Sequence, residues 1–476
     1  MPLALVPADA WGDGEDGALM RLTDVDQKQW VIKEGMADPD FARLLLRAAV
    51  EGGESPCERL RLSGRPIGAV SDADLSALSV KIPDREQSNS NVIFGDQFIF
   101  KLYRRLGEGM NPELEVGEHL TSVAFKHTAP IVGVIEIAGQ SGPKRTLAAA
   151  FRYVPNEGDA WGMFLDHAHR YFEGLTTLTP EDAAGLCLPG EPGCENTGET
   201  PPANIASLVA EPLELARLLG IRTAEMHAAL ADDRDGNAFA IEPYSAVYQR
   251  SLLQSMRNST RTAMQALKSR TPFLEGEAKT LASELMKREA EVLSLFRELT
   301  SRPIRAPRIR VHGDYHLGQV LWTGRDFVII DFEGEPLRSV GERRLKRSSF
   351  KDVAGMVRSF DYVAWTAMRR HWELVPSSTA AATQRDTRGA VLWSAWVARE
   401  FVRAYVLRLR EIQPVLLPGD VEDTQLVLRS WVLEKALYEI RYELNARPGW
   451  VDIPLRAVLS ILGQPQTAAI GVTDQP

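Results

Sequence analysis

A short polar stretch between apolar segments constrains this chain more than any other part of its sequence. Residues 311–319 read VHGDYHLGQ, and residues 329–334 read IIDFEG. Asp314 follows a histidine by two positions, Gln319 follows Asp314 by five, and Asp331 ends the next apolar run. The kinase pattern H-R-D-x-x-x-x-N, followed by D-F-G, has the same order and spacing. We therefore predict that this chain transfers phosphoryl groups.

Three of these residues have separate predicted roles in such a transfer. The carboxylate of Asp314 is the predicted base, which orients and deprotonates the attacking hydroxyl. Asp331 is the predicted Mg²⁺ ligand, and Gln319, one methylene longer than asparagine, is predicted as a second ligand on the metal side. Strands expected on both sides of the stretch would place the two aspartates at neighbouring strand ends.

Other polar residues of the same stretch receive weaker assignments. His312 is expected to fix the loop through hydrogen bonds to the backbone, whereas His316 is a candidate for contact with the substrate. Glu333 could bind a second metal ion or cap the loop, and the sequence leaves both roles open.

A lysine on a predicted strand supplies the cation that nucleotide phosphates require. Residues 92–102 alternate as a β-hairpin, with Lys101 on its second strand. The helix predicted after residue 111 carries glutamates in its first turns. An ammonium held by a carboxylate anchors the α- and β-phosphates of ATP. Glu115 is the expected partner of the lysine, and Glu113 is the next choice.

The turn before this hairpin is the predicted cradle for the phosphates. Ser88, Asn89 and Ser90 offer backbone N–H groups and small polar side chains. The chain contains no Walker A sequence, and no G-x-G-x-x-G lies next to this hairpin, so these residues are predicted to take the place of a glycine-rich loop. The expected cofactors are therefore ATP and Mg²⁺.

Length and composition favour a protein with more than one lobe. The chain has 476 residues, of which 44% are hydrophobic and 25% are charged, and this exceeds the length of a single core. We expect an α+β, two-lobed, protein-kinase-like fold. Its expected parts are an N-terminal α/β cap subdomain (1–85), a small lobe with the hairpin and lysine (86–153), and a mostly helical C-terminal lobe (154–476).

Charge and cysteine content limit the classes of partner. A net charge of −9 argues against nucleic acid as a partner. The apolar runs are shorter than a bilayer requires, which predicts no membrane span. Three cysteines and an N-terminus without a secretory signal favour a cytoplasmic protein.

One late helix is the candidate surface for the phosphoryl acceptor. Residues at i, i+3, i+4, i+7 and i+8 share a face of this helix, and they are Lys435, Tyr438, Glu439, Tyr442 and Glu443. Aromatic rings against C–H groups, with charged groups bonding hydroxyls, suit a sugar. A salt-bridge network between lobes is the alternative explanation.

Six separated stretches resemble bacterial maltokinases, in particular the kinase module often fused behind a trehalose synthase. They read SNSNVIFGDQFIFKLYRR, NPELEVGEHL, YVPNEGDAW, VHGDYHLGQVLW, IDFEGEPLRSVGERRLKRSSFKDVAGMVRSFDY and EKALYEIRYELNARPGW. The resemblance implies the fold of aminoglycoside phosphotransferases with an added N-terminal cap. It also implies ATP-dependent phosphorylation of maltose at its anomeric hydroxyl, which gives maltose 1-phosphate for α-glucan synthesis.

The resemblance further assigns roles to particular residues and partners. The family's roles fall on Lys101, Asp314, Gln319 and Asp331, and its sugar site draws on the helix over 435–443. A trehalose synthase is the implied fusion or partner. Two alternatives stay open: a kinase of another sugar or aminosugar such as glucosamine, and a catalytically inactive regulatory partner of trehalose synthase.

Overall fold

Two compact units make up the computed structural model of this chain. The first unit is Met1–Pro155 with Ile330–Arg344, and the second is Asn156–Ile329 with Leu345–Pro476. The described residues are 3–8, 18–57, 60–68, 70, 75–83, 89–139, 143–179, 200–201, 203–233, 238–335, 338–376 and 379–463. The division between Pro155 and Asn156 falls close to the boundary expected after residue 153.

Short strands and longer helices form the regular structure of the described residues. The strands are β1 (Leu3–Pro7), β2 (Ala18–Thr23), β3 (Gln29–Glu34), β4 (Gly53–Cys57), β5 (Leu60–Pro66), β6 (Val80–Lys81), β7 (Ser90–Phe94), β8 (Phe98–Leu102), β9 (Ile131–Gly139), β10 (Arg145–Arg152), β11 (Glu242–Pro243), β12 (Pro307–Arg308), β13 (Val320–Trp322) and β14 (Phe327–Ile329). The helices are α1 (Pro39–Glu51), α2 (Pro112–Ser122), α3 (Ala160–Leu175), α4 (Ala203–Ala229), α5 (Ala246–Arg270), α6 (Gly276–Lys287), α7 (Glu289–Glu298), α8 (Val340–Arg343), α9 (Phe350–Leu374), α10 (Ala380–Ile412), α11 (Val421–Ala446) and α12 (Asp452–Gly463).

An antiparallel sheet organises the first unit. Among the described residues its order is β4-β5-β9-β10-β8-β7-β6, and a smaller sheet has the order β1-β3-β2. Helix α1 lies directly on the larger sheet: a Cβ atom on Gly64 would be 1.8 Å from the Ala48 carbonyl oxygen, and one on Gly133 would be 2.3 Å from that of Ala49. Only glycine permits so close a helix–strand approach.

This packing corrects the expected boundary of the cap subdomain. Strands β4, β5 and β6 precede residue 85, yet they hydrogen-bond into the same sheet as β7 to β10. The pairing of β5 with β9, which runs from Leu60↔Gly139 to Pro66↔Gly133, joins residues about seventy positions apart in the sequence. No local signal marks such a pairing. The sequence therefore suggested a separate module up to residue 85, whereas β4, β5 and β6 belong to the larger sheet.

The predicted hairpin is present and explains the placement of its lysine. Phe98 and Phe100 alternate into the core beneath α1, because successive side chains of a strand point to opposite faces. Lys101 therefore lies on the other face, directly opposite Asn91 of β7. Gly95, with φ of +52°, forms the turn.

Helices dominate the second unit, and aromatic rings fill its core. Phe164 of α3 packs against Phe360 of α9 and Trp393 of α10, with ring centroids 5.1 and 6.4 Å away. The predicted hairpin before Asp331 is present as β13 and β14. The strand expected over 308–311 is shorter: Pro307–Arg308 pairs with β11, and Ile309 forms an isolated bridge with Arg347.

Two further observations concern the start of α4 and the possibility of a membrane span. Residues 180–199 lie outside the described residues, and α4 begins at Ala203 with Pro212 inside it. Within the part of the chain that the structure describes, no helix has both the length and the apolarity to cross a membrane.

Candidate active site

A partly buried lysine in the first unit lies among three carboxylates. Lys101 Nζ lies 2.5 Å from Asp331 Oδ1, 2.8 Å from Glu113 Oε2 and 3.7 Å from Glu333 Oε2. Strand β8 supplies the lysine, the first turn of α2 supplies Glu113, and the segment after β14 supplies the other two acids. Asp331 holds a φ of +67°, a strained backbone conformation that is concentrated at functional sites.

The partner of the lysine is Glu113, and the expected pairing with Glu115 is wrong. Asn111 caps α2 by accepting a hydrogen bond from the Glu113 backbone N–H. Glu113 also accepts a hydrogen bond of 2.7 Å from the Tyr103 hydroxyl. Glu115 instead accepts two hydrogen bonds from Arg344, of 3.0 and 2.7 Å. Residues two apart on a helix point about 200° apart, so only one of these glutamates can face the lysine.

Burial and neighbouring charges both shift the pKa values of Lys101 and Glu113. Burial alone would lower the pKa of Lys101, but the carboxylates of Glu113, Asp331 and Glu333 outweigh it and raise the pKa. Burial raises the pKa of Glu113 to about 7, and the neighbouring Asp331 adds to this while Lys101 opposes it. Three acids around one ammonium leave an excess of negative charge, which a cation would neutralise.

The same acids could hold a metal ion. Ligand oxygens of Glu113, Asp331 and Glu333 all lie within 4.8 Å of one another. Carboxylate oxygens are the ligands that Mg²⁺ prefers, so this donor set fits the expected ion. Gln319, the other proposed metal ligand, belongs to the second unit and ends a 3₁₀ turn, Leu317–Gln319; its role stays a prediction.

The residues expected to cradle phosphate are held by protein groups. Asn89 donates a 2.8 Å hydrogen bond to Glu333, and Arg104 donates to Ser90 at 3.1 Å. Ser88 lies outside the described residues. Arg343 also donates to Glu333, at 3.1 Å, so side chains from two different segments hold this carboxylate.

A buried aspartate in the second unit shapes the loop that carries the predicted base. Asp352, near the start of α9, accepts hydrogen bonds from the backbone N–H groups of His312 at 2.7 Å and Gly313 at 2.9 Å. His227 Nε2 lies 3.2 Å from the same carboxylate. Burial raises the pKa of Asp352, but hydrogen bonding and charge from His227 outweigh it, and the pKa is lowered. Asp314 follows directly from this fixed backbone.

Helix α9 supports the rest of the loop through two further contacts. Ser359 accepts a hydrogen bond from the Leu317 backbone N–H at 3.2 Å. A Cβ atom on Gly355 would lie 2.4 Å from the Tyr315 carbonyl oxygen, so α9 and the loop are in direct contact. His316 caps the following turn by accepting from the Gly318 N–H at 3.1 Å, which gives it a structural role whether or not it touches substrate.

The candidate acceptor helix lies beside the predicted base. Lys435 Nζ of α11 is 3.6 Å from Asp314 Oδ1 and 5.1 Å from the centre of the Tyr438 ring. Tyr442 lies further along the helix and is exposed. The structure thus brings the predicted acceptor face and the predicted base together within one unit.

The glutamates of this face are engaged by neighbouring cations and a phenol. Arg358, a buried residue of α9, donates to Glu439 at 2.8 Å, and burial raises the pKa of Glu439. Glu443 accepts from Tyr362 at 2.9 Å and forms two hydrogen bonds with Arg447. Ion pairs and hydrogen bonds thus link these glutamates within the second unit, beside Lys435, whereas the network between lobes stays a prediction.

Sequence reasoning missed several residues that build the site. They are Asp352, Arg343, Arg344 and Arg358. Arg343 pairs with Glu333 ten positions away, and the other three pair with residues 39 to 229 positions away, so spacing within one element could not reveal these contacts. The nearest available signal was the basic stretch over 343–347, RRLKR, which begins twelve residues after Asp331, the predicted metal ligand.

Comparisons with known proteins bear on the fold and on the class of chemistry. Residues 198–334 match the profile of the phosphotransferase enzyme family (APH). A glucosamine kinase of Streptacidiphilus jiangxiensis is 26% identical over 381 residues, which are 79% of this chain and 72% of that protein. A glucosamine kinase of Mycolicibacterium smegmatis is 25% identical over 386 residues, 80% of this chain and 78% of that protein.

Solved structures of glucosamine kinases superpose on this chain over most of its length. A glucosamine kinase in complex with glucosamine, ADP and inorganic phosphate superposes with a TM-score of 0.64 at 21% identity, over 97% of this chain and 94% of that one. A second crystal form of a glucosamine kinase gives 0.61 at 21% identity, over 94% of each chain. These relatives match the alternative acceptor named above, and they do not support the narrower resemblance to maltokinases. The predicted fold is confirmed: the chain has the APH kinase-like fold, with a sheet-rich N-terminal part and a helical C-terminal region.

Proposed function

We propose that this protein is an ATP-dependent sugar kinase that phosphorylates maltose at its anomeric hydroxyl. The observation that carries the kinase assignment is the contact of Lys101 with Glu113 and Asp331. Such a lysine–carboxylate cluster is what anchoring of nucleotide phosphates requires. The fold of the chain supports the same class of reaction.

The first unit supplies the groups for the nucleotide. Lys101 is positioned to neutralise phosphate oxygens, and Glu113, Asp331 and Glu333 would hold Mg²⁺. The ion, when bound, offsets the negative charge that develops on the transferred phosphoryl group. Asn89 and Arg343 keep Glu333 oriented beside the lysine.

The second unit supplies the base for the acceptor. The acceptor oxygen forms a bond to the γ-phosphorus, the bond from that phosphorus to the leaving oxygen of ADP breaks, and the hydroxyl proton passes to the carboxylate of Asp314. Asp352 holds the backbone immediately before Asp314, so the carboxylate does not have to be ordered when substrate binds.

Charge at the acceptor face favours a neutral sugar over an aminosugar. Glu439 and Glu443 already have cationic partners, and Lys435 stands 3.6 Å from Asp314. The ammonium of an aminosugar would meet this lysine and would find both glutamates engaged. Maltose in particular is favoured by the six stretches that resemble maltokinases.

Glucosamine is the second candidate acceptor. The named relatives at 25–26% identity over about four fifths of this chain are glucosamine kinases. A phosphorylated glucosamine product would therefore fit the relatives, whereas maltose 1-phosphate fits the motifs and the charge of the acceptor face.

An acceptor screen with product identification tests these proposals. The purified chain would be incubated with MgATP and maltose, glucose, glucosamine or N-acetylglucosamine, with ADP release as the rate and ³¹P NMR of the product as its identity. We expect maltose 1-phosphate, and Asp314→Asn should abolish its formation. Turnover of glucosamine alone would replace maltose with the second candidate, and turnover of no sugar would remove the kinase proposal.

A further inference from the structure

The segment Ile330–Arg344 is attached to the first unit at both of its ends. At its start, Asp331 pairs with Lys101. At its end, Arg344 Nε and Nη2 donate to the two oxygens of Glu115, at 3.0 and 2.7 Å. A guanidinium that bonds both oxygens of a carboxylate fixes the orientation of the pair as well as its distance. The segment is thereby held against both β8 and α2.

Helix α8 makes this second attachment rigid. Ser339 and Glu342 form a reciprocal capping box at its start, which stabilises so short a helix. A Cβ atom on Gly107 would lie 2.2 Å from Val340 Cγ2, so α8 is in contact with the loop that leads into α2. Arg344 thus leaves α8 from a fixed position.

The two glutamates of α2 connect this attachment to the nucleotide-binding groups. Glu113 and Glu115 lie in the same first turn, and each has one principal cation, Lys101 for the former and Arg344 for the latter. A rotation of the helix that broke one pair would also move the other, because both side chains project from one rigid turn. The orientation of Glu113 therefore depends on the bond to Glu115.

We propose that Arg344 is a positioning residue, which holds the first turn of α2 so that Glu113 meets Lys101. Its effect on turnover rests on the proposed kinase function, whereas its effect on α2 does not. Glu115 is largely buried, with a side chain 9% exposed, so loss of its partner leaves a carboxylate in a poorly solvated place. Lysine could restore the charge but not the two parallel bonds.

The same helix provides a matched control. Glu118, one turn further along, pairs with Arg65 of β5 at 2.7 Å. That pair is more exposed, at 28% and 44% of the side chains, and among the described residues no hydrogen bond or ion pair joins it to the segment Ile330–Arg344. Removing it changes one ion pair of α2 without touching the proposed connection.

The first test measures the helix itself in the full chain without ligand. Amide hydrogen exchange of residues 112–122 would be compared in the parent, Arg344→Gln and Arg65→Gln, with Arg344→Lys as the milder change. We expect faster exchange in Arg344→Gln, a smaller effect in Arg344→Lys and little change in Arg65→Gln. Equal protection in Arg344→Gln and the parent would overturn the proposal.

The second test measures nucleotide binding and turnover. We expect Arg344→Gln and Glu115→Gln each to weaken MgADP binding about tenfold, and the double variant to lose little more than either single one. The exchanged pair Arg344→Glu with Glu115→Arg should recover part of the loss. Additive losses, or no loss, would overturn the proposal. If the parent itself binds no MgADP, the proposed function fails, and the exchange experiment alone decides the role of Arg344.

Discussion

At the scale of single residues, burial of Glu113 should make stability depend on pH. Its pKa is raised to about 7, above the ordinary 4.5. A group whose pKa is raised on folding stabilises the native state most fully below its ordinary pKa, and this contribution is lost as the pH rises through the raised value. In protein without nucleotide or divalent metal, we therefore expect the contribution of Glu113 to the free energy of unfolding to fall as the pH increases from 4.5 to 7.

Glu113→Gln removes this titration and tests the expectation. Urea unfolding midpoints across that pH range should vary less in Glu113→Gln than in the parent. Glu118→Gln, on the same helix but paired with Arg65, should keep the pH dependence of the parent. An unchanged slope in Glu113→Gln would show that the carboxyl does not titrate in this range.

The proposed preference for a neutral sugar over an aminosugar rests on the charge of Lys435. Its ammonium stands beside Asp314 and should repel an aminosugar. In Lys435→Gln we expect kcat/KM for glucosamine to rise about tenfold relative to that for maltose, because one positive charge that repels the ammonium of glucosamine is removed. Initial rates with both sugars give this ratio.

A second lysine serves as the control for charge alone. Lys287 is exposed at the end of α6. In Lys287→Gln, which removes the same charge far from the acceptor helix in sequence, the ratio of kcat/KM for glucosamine to that for maltose should stay at its parental value. If Lys435→Gln also left the ratio unchanged, charge at the acceptor face would not select the sugar.

At the scale of elements, the contact of α9 with the loop that carries Asp314, the proposed base, should control turnover. A methyl group on Gly355 would lie 2.4 Å from the Tyr315 carbonyl oxygen, so Gly355→Ala must push the helix and the loop apart. We expect kcat to fall up to about a hundredfold, since small displacements of reacting groups cost that much. The unfolding free energy should fall by about 1–3 kcal/mol.

Steady-state kinetics and urea unfolding measure these two effects. Gly139→Ala, where an added Cβ meets nothing within 4 Å, should leave kcat unchanged. Parental turnover in Gly355→Ala would mean that the loop tolerates movement of α9.

At the scale of the whole molecule, the first unit is built from two separated parts of the chain. Met1–Pro155 alone lacks Asp331 and Arg344, the partners of Lys101 and Glu115. We expect a fragment of residues 1–155 to be less stable than the same fragment joined to 330–344 through a glycine–serine linker. A joined fragment of the same length that carries Asp331→Asn and Arg344→Gln should lose most of the stability that residues 330–344 add.

Thermal unfolding of the three fragments decides whether the segment completes the unit. Equal midpoints for 1–155 and the joined fragment would show that residues 330–344 add no stability to the first unit. Equal midpoints for the two joined fragments would show that contacts other than the two ion pairs carry the effect.

Local patterns predicted the parts of this fold that depend on neighbours in the sequence. The β7–β8 hairpin, the capped start of α2 and the β13–β14 hairpin follow from alternation and from cap residues. The boundary at residue 85 was misplaced because β5 pairs with β9 across a long stretch of chain. Glu115 was preferred over Glu113 because a sequence does not state which way a helix is rotated against a strand.

By itself, the sequence determined the chemical groups of this protein: a lysine on a strand, acids at strand ends and a helix face with lysine, tyrosines and glutamates. Their types and spacings are local properties, and local rules suffice to recognise them. Only the tertiary structure decided the pairings, such as Glu113 with Lys101, Glu115 with Arg344, Asp352 with the loop before Asp314, and Arg358 with Glu439. Each of these joins residues from different elements, and the packing of those elements sets which charges meet.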